Sequence, residues 1–235
     1  MMELKKHSNT HIFQKNIKVS DNFEGLKLKN SSVVKRIFDI VLSSIAIILL
    51  SPIFILIAIA IKIESRGPVF YIAKRAGRGY RVFDFYKFRT MEVDADQKVS
   101  QLSHMNQYDS GAENGPVFFK VSNDPRITKM GVFLRNSSLD ELPQLFNVLL
   151  GDMSIVGNRP LPLYEAATLT TDEYAVRFMA PAGITGLWQV TGRSTVDFDE
   201  MVRLDLRYAT SWTPWLDLRI LIRTPGAVIK GSGAY

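Results

Sequence analysis

An apolar segment from Val41 to Ile61 constrains this chain more than any other feature. As a helix it would be roughly 30 Å long, which is enough to span the hydrocarbon core of a bilayer. A single transmembrane helix is therefore the simplest interpretation. A buried helix of a soluble domain fits less well because of the length, and a signal peptide because the run starts late and lacks a clear cleavage site. The only polar side chains in it are Ser43, Ser44 and Ser51.

Two features of the segment favour a helix that enters and leaves the bilayer by the same face. Ser51 and Pro52 interrupt it near the middle, where proline removes a helical hydrogen bond and serine can bond a backbone group freed at the break. Lys and Arg also flank both ends equally, with eight in residues 1–36 and eight in residues 62–89. A crossing helix normally shows this excess on one side only. On these grounds crossing and re-entry both stay open.

Composition excludes several kinds of site. The 235 residues suit one catalytic domain and a membrane element, and the absence of cysteine excludes disulfides and thiolate metal sites. With three histidines, two of them near the N-terminus, a histidine triad or metal cage is not expected. The net charge of +6 lies beside the apolar segment, which favours anionic lipid or phosphorylated substrates over nucleic acid.

The patterns predict an α+β fold that is predominantly helical. It has a basic tail at 1–32, a membrane helix hairpin at 33–66 and a membrane-associated catalytic domain at 67–235. Val69–Ile72 and Arg81–Phe88 are predicted to form a small β-hairpin. We predict helices at 126–135, 139–150, 172–179 and 197–211, a helix and loop at 93–115, loops at 151–163 and 181–192, and an interfacial amphipathic helix at Trp212–Ile222.

Asp140 and Glu141 stand at the start of the predicted helix 139–150. Ser138 and Glu141 match a capping box, and Pro143 is tolerated in a first helical turn. By pattern alone, capping is therefore the simplest role for the two acids. The alternative is chemical, because free amides at a helix N-terminus bind phosphate and lower the pKa of a nearby carboxylate.

Basic residues nearby give the chemical alternative its partners. Guanidinium groups pair bidentately with phosphate oxygens, so arginines in glycine- and proline-rich stretches can form a phosphate clamp. Each cation taken alone is equally well explained by contact with solvent or a lipid headgroup. The candidates are Arg135, Arg159 and Arg193, with Lys87 and Arg89 at the end of a predicted strand.

Several short motifs together resemble those of a known family, the bacterial sugar transferases called monotopic phosphoglycosyl transferases or polyprenyl-phosphate hexose-1-phosphate transferases. The resemblance extends from about Val33 to the C-terminus and departs at Asn158, where family members often have proline. That family has a re-entrant helix broken at Ser-Pro, so the resemblance favours re-entry here. The motifs are Lys35-Arg36 before the Ser51-Pro52 break, Lys87-Phe88-Arg89-Thr90-Met91, Leu139-Asp140-Glu141-Leu142-Pro143-Gln144, Val156-Gly157-Asn158-Arg159-Pro160-Leu161, and Gly183-Ile184-Thr185-Gly186-Leu187-Trp188-Gln189-Val190 followed by Gly192-Arg193.

The resemblance implies a two-step transfer of a sugar-1-phosphate from a UDP-sugar to polyprenyl (undecaprenyl) phosphate. Asp140 is the implied nucleophile, UMP the leaving group and Glu141 the ligand of Mg²⁺. The implied substrate and phosphate binders are Lys87, Arg89, Arg135, Arg159, Gln189 and Arg193.

The resemblance also places the enzyme in a bacterial plasma membrane. Its active site would face the cytoplasm, and its reaction would be the first membrane step of glycoconjugate synthesis. Membrane lipid is an implied partner and a homodimer a possible one. The sugar and the glycan pathway (capsule, exopolysaccharide or lipopolysaccharide) stay open.

Electrostatics explain why such a reaction needs a metal ion. An anionic aspartate has to approach an anionic diphosphate, and each like-charge pair at about 4 Å costs on the order of 4 kcal/mol at an effective dielectric near 20. Helix-end amides supply at most about 1–2 kcal/mol. We therefore expect a requirement for Mg²⁺ or Mn²⁺ together with arginines.

Three other functions are considered against this one. A nucleotide-sugar glycosyltransferase would use Asp94-Ala95-Asp96 as a DxD metal motif, but that motif is short and stands in a polar run. A membrane-anchored scaffold would leave Asp140 and Glu141 as a cap only. A nucleic-acid binder would place its basic residues on a soluble face among aromatics, whereas here they cluster beside the apolar segment.

Overall fold

The computed structural model describes residues 33–95, 124–169, 172–192, 196 and 198–230. This part is mostly helical, with two small sheets. Its helices are α1 (Val33–Glu64), α2 (Lys129–Asn136), α3 (Gln144–Leu150), α4 (Leu163–Thr168), α5 (Asp172–Ala175), α6 (Leu187–Thr191), α7 (Phe198–Ser211) and α8 (Pro214–Lys230). Its strands are β1 (Phe70–Ala76), β2 (Val82–Phe88), β3 (Ser154–Val156), β4 (Leu161–Pro162) and β5 (Gly183–Thr185), and 3₁₀ turns cover Arg78–Tyr80, Leu139–Glu141 and Val176–Met179.

The apolar segment lies in one helix, α1, which continues through Pro52. Pro52 has no N–H to donate to the carbonyl of Ile48, four residues earlier. Ser51 donates its hydroxyl to that carbonyl at 2.8 Å, so the group freed by the proline is still bonded. The helix–break–helix hairpin is not confirmed. By length and composition, α1 is the one helix of the described residues that is able to cross a membrane.

Both ends of α1 are buried against the rest of the chain, but its middle is not. Near the start, Lys35 pairs with Asp217 of α8 at 2.5 Å. Near the end, Ile57 and Ile61 pack in a cluster with side chains of β2 and α2. No residue between 44 and 56 is buried. A helix lying flat on a domain would bury a residue every three or four positions, so most of the middle of α1 stands away from the described domain. Phe54 is an exception, because its ring lies 5.4 Å from that of Phe88 and 5.8 Å from that of Phe146.

A buried polar network joins the start of α1 to α7, α8 and β3. Asp217 accepts hydrogen bonds from Lys35 at 2.5 Å, the Tyr208 hydroxyl at 2.8 Å and the Trp212 indole at 3.0 Å. Lys35 and Tyr208 also donate to the carbonyl of Val156, at 3.0 and 3.1 Å. Because Val156 ends β3, this network fixes the strand that leads into the Gly157-Asn158-Arg159 loop.

The strands form two small sheets. In the first, β1 lies between β2 and β4 and pairs antiparallel with both. In the second, β3 and β5 pair in parallel. Glycine is needed where these two strands approach each other, because a Cβ on Gly157 would lie 2.2 Å from the Pro181 carbonyl oxygen and one on Gly183 would lie 2.1 Å from the Gly157 nitrogen.

The structure confirms the predicted β-hairpin and the helices at 172–179 and 197–211, with shifted bounds. The helix predicted at 126–135 begins at Lys129, because Thr128 accepts a hydrogen bond from the Gly131 amide as N-cap. The prediction of loops at 151–163 and 181–192 is wrong, since those ranges contain short strands and helices. The tail at 1–32 and most of the range 93–115 lie outside the described residues.

The predicted helix at Trp212–Ile222 is α8, which begins at Pro214 and extends to Lys230. One face of α8 is buried, with Ile220 in a core cluster that contains Tyr208. A second face carries exposed apolar side chains spaced by three, four and seven residues, which places them on one stripe. The stripe consists of Trp215, Leu218, Ile222 and Ile229.

Candidate active site

The local backbone places Asp140 and Glu141 in a 3₁₀ turn, not in the first turn of an α-helix. Ser138 adopts a left-handed conformation with φ of 57°, and its side chain makes no capping hydrogen bond. Helix α3 begins only at Gln144, after Pro143. The capping-box interpretation is therefore wrong, because Ser138 and Glu141 do not exchange the side-chain bonds that define one.

The two carboxylates converge on one ammonium group. Lys87, the penultimate residue of β2, places its Nζ 3.2 Å from Asp140 Oδ2 and 2.9 Å from Glu141 Oε1. Asp140 is buried, and Glu141 is half-buried. Arg159 approaches Glu141 from the loop after β3 and donates to both of its oxygens, at 2.6 and 3.3 Å. The structure thus brings together four residues for which the sequence predicts a role in phosphate chemistry: Lys87, Asp140, Glu141 and Arg159.

The charges of this cluster stabilise its ionised form. Burial tends to raise the pKa of Glu141, but the charges and hydrogen bonds of Arg159 and Lys87 outweigh it and hold that pKa well below its ordinary value. Glu141 in turn raises the pKa of Arg159. At neutral pH the Glu141 carboxylate is therefore charged and is held by the charged guanidinium of Arg159.

Arg135 lies at the edge of the cluster. Its Nε donates to the Thr90 hydroxyl at 3.0 Å. Burial lowers the pKa of Arg135, whereas the charge of Asp140 raises it, so the guanidinium is within electrostatic reach of that carboxylate. The phosphate-binding role of Arg135 stays a prediction.

Arg89 and Gln189 make their hydrogen bonds away from the Asp140 and Glu141 carboxylates. Strand β2 ends at Phe88, so the strand alternation that would put Arg89 on the same face as Lys87 no longer holds. The Arg89 guanidinium donates to the carbonyls of Ser65 and Arg66 at the end of α1, at 3.0 and 2.8 Å.

The Gln189 amide donates to the Ile184 carbonyl at 2.9 Å, and its buried Oε1 has no hydrogen-bond partner in the described part of the chain. Arg193 lies outside the described residues, and Ser51 and Pro52 lie in the middle of α1. The phosphate-binding roles of Arg89, Gln189 and Arg193 stay predictions.

Sequence reasoning missed a buried support behind Arg159. Arg177 and Asp205 form an ion pair that is almost wholly buried, and the Arg177 guanidinium also donates to the backbone carbonyl of Arg159 at 3.3 Å. The side-chain amide of Asn158 donates to the carbonyls of Arg177 and Asp205, at 2.8 and 3.1 Å. The Asn158 N–H donates to the Pro181 carbonyl at 3.0 Å, which a proline at this position could not do. The departure from the family pattern at Asn158 was the one available signal.

The carboxylate pair fits a divalent cation shared with a substrate. Among the described residues, no group of three or more His, Asp or Glu side chains is placed to hold a metal by itself. Mg²⁺, however, is usually bound by one or two carboxylates together with substrate phosphates. Asp140 and Glu141 suit this arrangement, because both already contact a single cationic atom, Lys87 Nζ.

A family profile described as bacterial sugar transferase matches residues 30–231. Curated proteins of this kind align with most of the chain at about 40% identity. The chain therefore belongs to the bacterial sugar transferase family.

Three relatives indicate the range of this similarity. The undecaprenyl-phosphate galactose phosphotransferase of Salmonella typhimurium is 41% identical over 89% of this chain and 43% of the relative. The UDP-glucose:undecaprenyl-phosphate glucose-1-phosphate transferase of Klebsiella pneumoniae is 40% identical over 85% of this chain and 40% of the relative. The exopolysaccharide production protein ExoY of Rhizobium meliloti is 38% identical over 86% of this chain and 88% of the relative. The chain thus spans less than half the length of some relatives and most of the length of others.

The lowered pKa of Glu141 predicts a specific acid sensitivity. A carboxyl group with a lower pKa in the folded state stabilises the fold above its unfolded-state pKa, near 4.3, and this stabilisation is lost as pH falls. We expect the unfolding free energy of the detergent-solubilised protein to decrease below about pH 5. The decrease should be smaller in Glu141→Gln, as measured by denaturant unfolding at pH 7, 5 and 4.

Asp84→Asn is the matched control for this experiment. Asp84 pairs with Lys74 on the surface, where both side chains are more than 40% exposed and such a pair contributes little. This variant should lose stability with falling pH as the unmodified protein does. Identical profiles for Glu141→Gln and the unmodified protein would contradict the assigned charge state.

Proposed function

We propose that this chain transfers a sugar-1-phosphate from a UDP-sugar to polyprenyl phosphate and releases UMP. The observation that carries the proposal is the convergence of Asp140 and Glu141 on Lys87 and Arg159, in a chain that belongs to the bacterial sugar transferase family. The names of several relatives support the substrates, since they specify undecaprenyl phosphate and galactose or glucose phosphate transfer.

In the first proposed step, a carboxylate oxygen of Asp140 attacks the β-phosphorus of the UDP-sugar. A bond forms between this oxygen and the phosphorus, and the bond from the phosphorus to the oxygen bridging to the α-phosphate breaks. UMP leaves with that oxygen and its electron pair. The sugar phosphate remains on Asp140 as an acyl phosphate, a covalent intermediate available to carboxylate nucleophiles.

In the second proposed step, a phosphate oxygen of polyprenyl phosphate attacks the same phosphorus. The acyl phosphate bond breaks, which restores the Asp140 carboxylate and gives polyprenyl-diphospho-sugar. Lys87, Arg135 and Arg159 contribute positive charge near the transferred group in both steps, so they reduce the repulsion between anionic reactants. Asp140, unlike Glu141, is bonded only at one oxygen among the described contacts, which suits it to the nucleophilic role.

Glu141 is the residue that would hold Mg²⁺ or Mn²⁺ with the diphosphate, beside the Asp140 nucleophile. A bound divalent cation supplies charge neutralisation at the phosphate oxygens and at the leaving group. Lys87 and Arg159 would then exchange part of their bonding from Glu141 to phosphate oxygens, which are stronger competitors than water for guanidinium and ammonium groups.

We propose further that α1 enters and leaves the membrane by one face, so that the active site lies at the cytoplasmic surface of the plasma membrane. The burial of both ends of α1 on the same domain, with an unburied middle, supports this arrangement. The apolar stripe of α8, flanked by Arg219 and Arg223, suits a helix in the headgroup region. A shallow insertion gives a soluble sugar nucleotide and a lipid-bound acceptor access to one site.

Single-cysteine labelling tests this orientation, because the chain contains no cysteine of its own. Val33→Cys and Ile63→Cys mark the two ends of α1, at positions whose side chains are exposed although Lys35 and Ile61, two residues away, are buried. We expect a membrane-impermeant maleimide to label both in inside-out vesicles and neither in intact spheroplasts. Lys74→Cys, on an exposed part of β1, is the control for the cytoplasmic side. Opposite accessibility of the two ends would establish a crossing helix and exclude re-entry.

The reaction itself is tested with a panel of UDP-sugars and polyprenyl phosphate. We expect UMP as the released nucleotide. Label from the β-phosphate should remain on the protein when acceptor is omitted, and Asp140→Asn should abolish both signals because an amide is a poor nucleophile. Release of UDP would instead indicate a glycosyltransferase, the function for which the Asp94-Ala95-Asp96 motif was considered. Full pathway activity in Asp140→Asn would indicate a scaffold.

Removal of divalent cations provides a separate test. We expect EDTA to reduce UMP release to background and Mg²⁺ or Mn²⁺ to restore it. Without the metal ion, lysine and arginine alone would have to offset several repulsions between the Asp140 carboxylate and the diphosphate, of about 4 kcal/mol each. Undiminished activity in EDTA would refute the metal-binding role proposed for Glu141.

A further inference from the structure

A second polar cluster, formed by Tyr71, Arg75, Tyr164 and Glu165, lies beside the carboxylate site. None of these residues takes part in the phosphoryl chemistry proposed above. Tyr71 and Tyr164 are large aromatic side chains that remain 45% and 52% exposed, while Arg75 and Glu165 are half-buried. The cluster thus combines accessible aromatic surface with partly desolvated charge.

The β-hairpin places this cluster on the same face as Lys87. Tyr71 pairs directly with Lys87 across the two strands, and Arg75 lies four residues further along β1, on the same face as Tyr71. The Arg75 guanidinium and the Lys87 ammonium lie over one aromatic ring, 5.5 and 5.7 Å from the centroid of Phe85. The cluster is therefore a direct extension of the cation-lined site along β1.

The loop that carries Arg159 leads directly into the other half of the cluster. Strand β4 follows this loop and pairs with β1 through Arg75 and Pro162. Helix α4 begins at the next residue, so Tyr164 and Glu165 lie in its first turn. The Tyr164 and Glu165 side chains are joined by a hydrogen bond.

The electrostatics agree with this proximity. Burial lowers the pKa of Arg75, and the charge of Arg159 acts in the same direction, while Glu165 opposes both. Burial raises the pKa of Glu165, against the charges of Arg75, Arg177 and Arg159. Glu165 is therefore within electrostatic reach of the same arginine that binds Glu141.

We propose that Tyr71, Arg75, Tyr164 and Glu165 form the subsite that binds the hexose ring of the sugar nucleotide. The inference rests on the proposed function, because it takes the β-phosphate to lie between Asp140 and Arg159. The hexose is attached directly to that phosphate, so its ring must lie next to the Asp140 and Arg159 side chains. The cluster occupies such a position on the Lys87 and Arg159 side of the site.

The chemistry of the cluster favours a sugar over the other parts of the substrate. A carboxylate such as Glu165 accepts hydrogen bonds from hydroxyl groups but repels phosphate oxygens. Tyrosine combines an apolar ring face with a hydroxyl that donates and accepts, which suits the alternating C–H and O–H surface of a pyranose. Uracil is the competing occupant, and the experiment below separates the two.

The test compares a ligand that contains the hexose with one that lacks it. Full-length enzyme is assayed with polyprenyl phosphate for UMP release, giving KM for the preferred UDP-hexose and the inhibition constant of UDP. For Glu165→Gln we expect KM to rise about 10-fold for each hydrogen bond to the charged carboxylate that is lost. For Tyr164→Phe, which removes a neutral hydroxyl, we expect a smaller rise in KM. The UDP inhibition constant should change less than about 2-fold, because UDP makes no contact with this subsite. Tyr164→Phe removes a single hydroxyl from a side chain that is 52% exposed, so it tests the subsite even if Glu165→Gln folds poorly.

Lys74→Gln is the matched control, since Lys74 precedes Arg75 on β1 but lies on the opposite face, in a surface pair with Asp84. It should leave both constants unchanged. Equal increases in KM and the UDP constant would assign the cluster to the nucleotide and overturn the proposal, and so would unchanged constants in both variants. Absence of UMP release from the unmodified enzyme with every UDP-sugar would instead refute the proposed function, and the subsite with it.

Discussion

The rest of the described structure depends on holding two adjacent carboxylates, Asp140 and Glu141, largely out of water. Such groups repel each other and lose hydration, so they stay charged only if cations contact them. The chain supplies these cations from distant segments, Lys87 from the end of β2 and Arg159 from the loop after β3. The β-hairpin, the parallel β3–β5 pair and the 3₁₀ turn at Leu139–Glu141 must therefore keep a fixed relation for the site to exist.

The members of this site could be predicted from the sequence, but their contacts could not. Charged residues in short motifs indicated Lys87, Asp140 and Glu141. The Ser138-x-x-Glu141 pattern, however, was equally consistent with a capping box at a helix N-terminus. The left-handed backbone conformation of Ser138 excludes the capping box, and this conformation cannot be predicted from a four-residue pattern. Arg89 shows the opposite case: it follows Lys87 by two residues, but the strand ends between them and its guanidinium turns to the end of α1.

Most of the support behind Arg159 was inaccessible to sequence reasoning for a different reason. Asn158, Arg177 and Asp205 are far apart in the chain, and only Asn158 stands in one of the motifs, where it departs from the family pattern. Their contacts exist only because the Asn158 loop and α7 pack against the same 3₁₀ turn. A buried ion pair adds little net stability compared with apolar packing, so its value here lies in fixing the backbone that presents Arg159.

The two anchored ends of α1 link this long apolar helix to the candidate active site. At one end of the helix, Lys35 bonds the Val156 carbonyl, three residues before Arg159. At the other end, Ile57 and Ile61 pack on Phe88, the neighbour of Lys87. The two cations that bind Glu141 are thus each adjacent to one anchored end of the same helix. Because hydrogen bonds of 2.6 and 2.9 Å weaken steeply when stretched beyond about 3.2 Å, a change in the relation of the two ends would separate the cations from their carboxylate. Helix α1 therefore acts as a structural strut for the candidate active site, whatever part its apolar middle plays in the proposed contact with lipid.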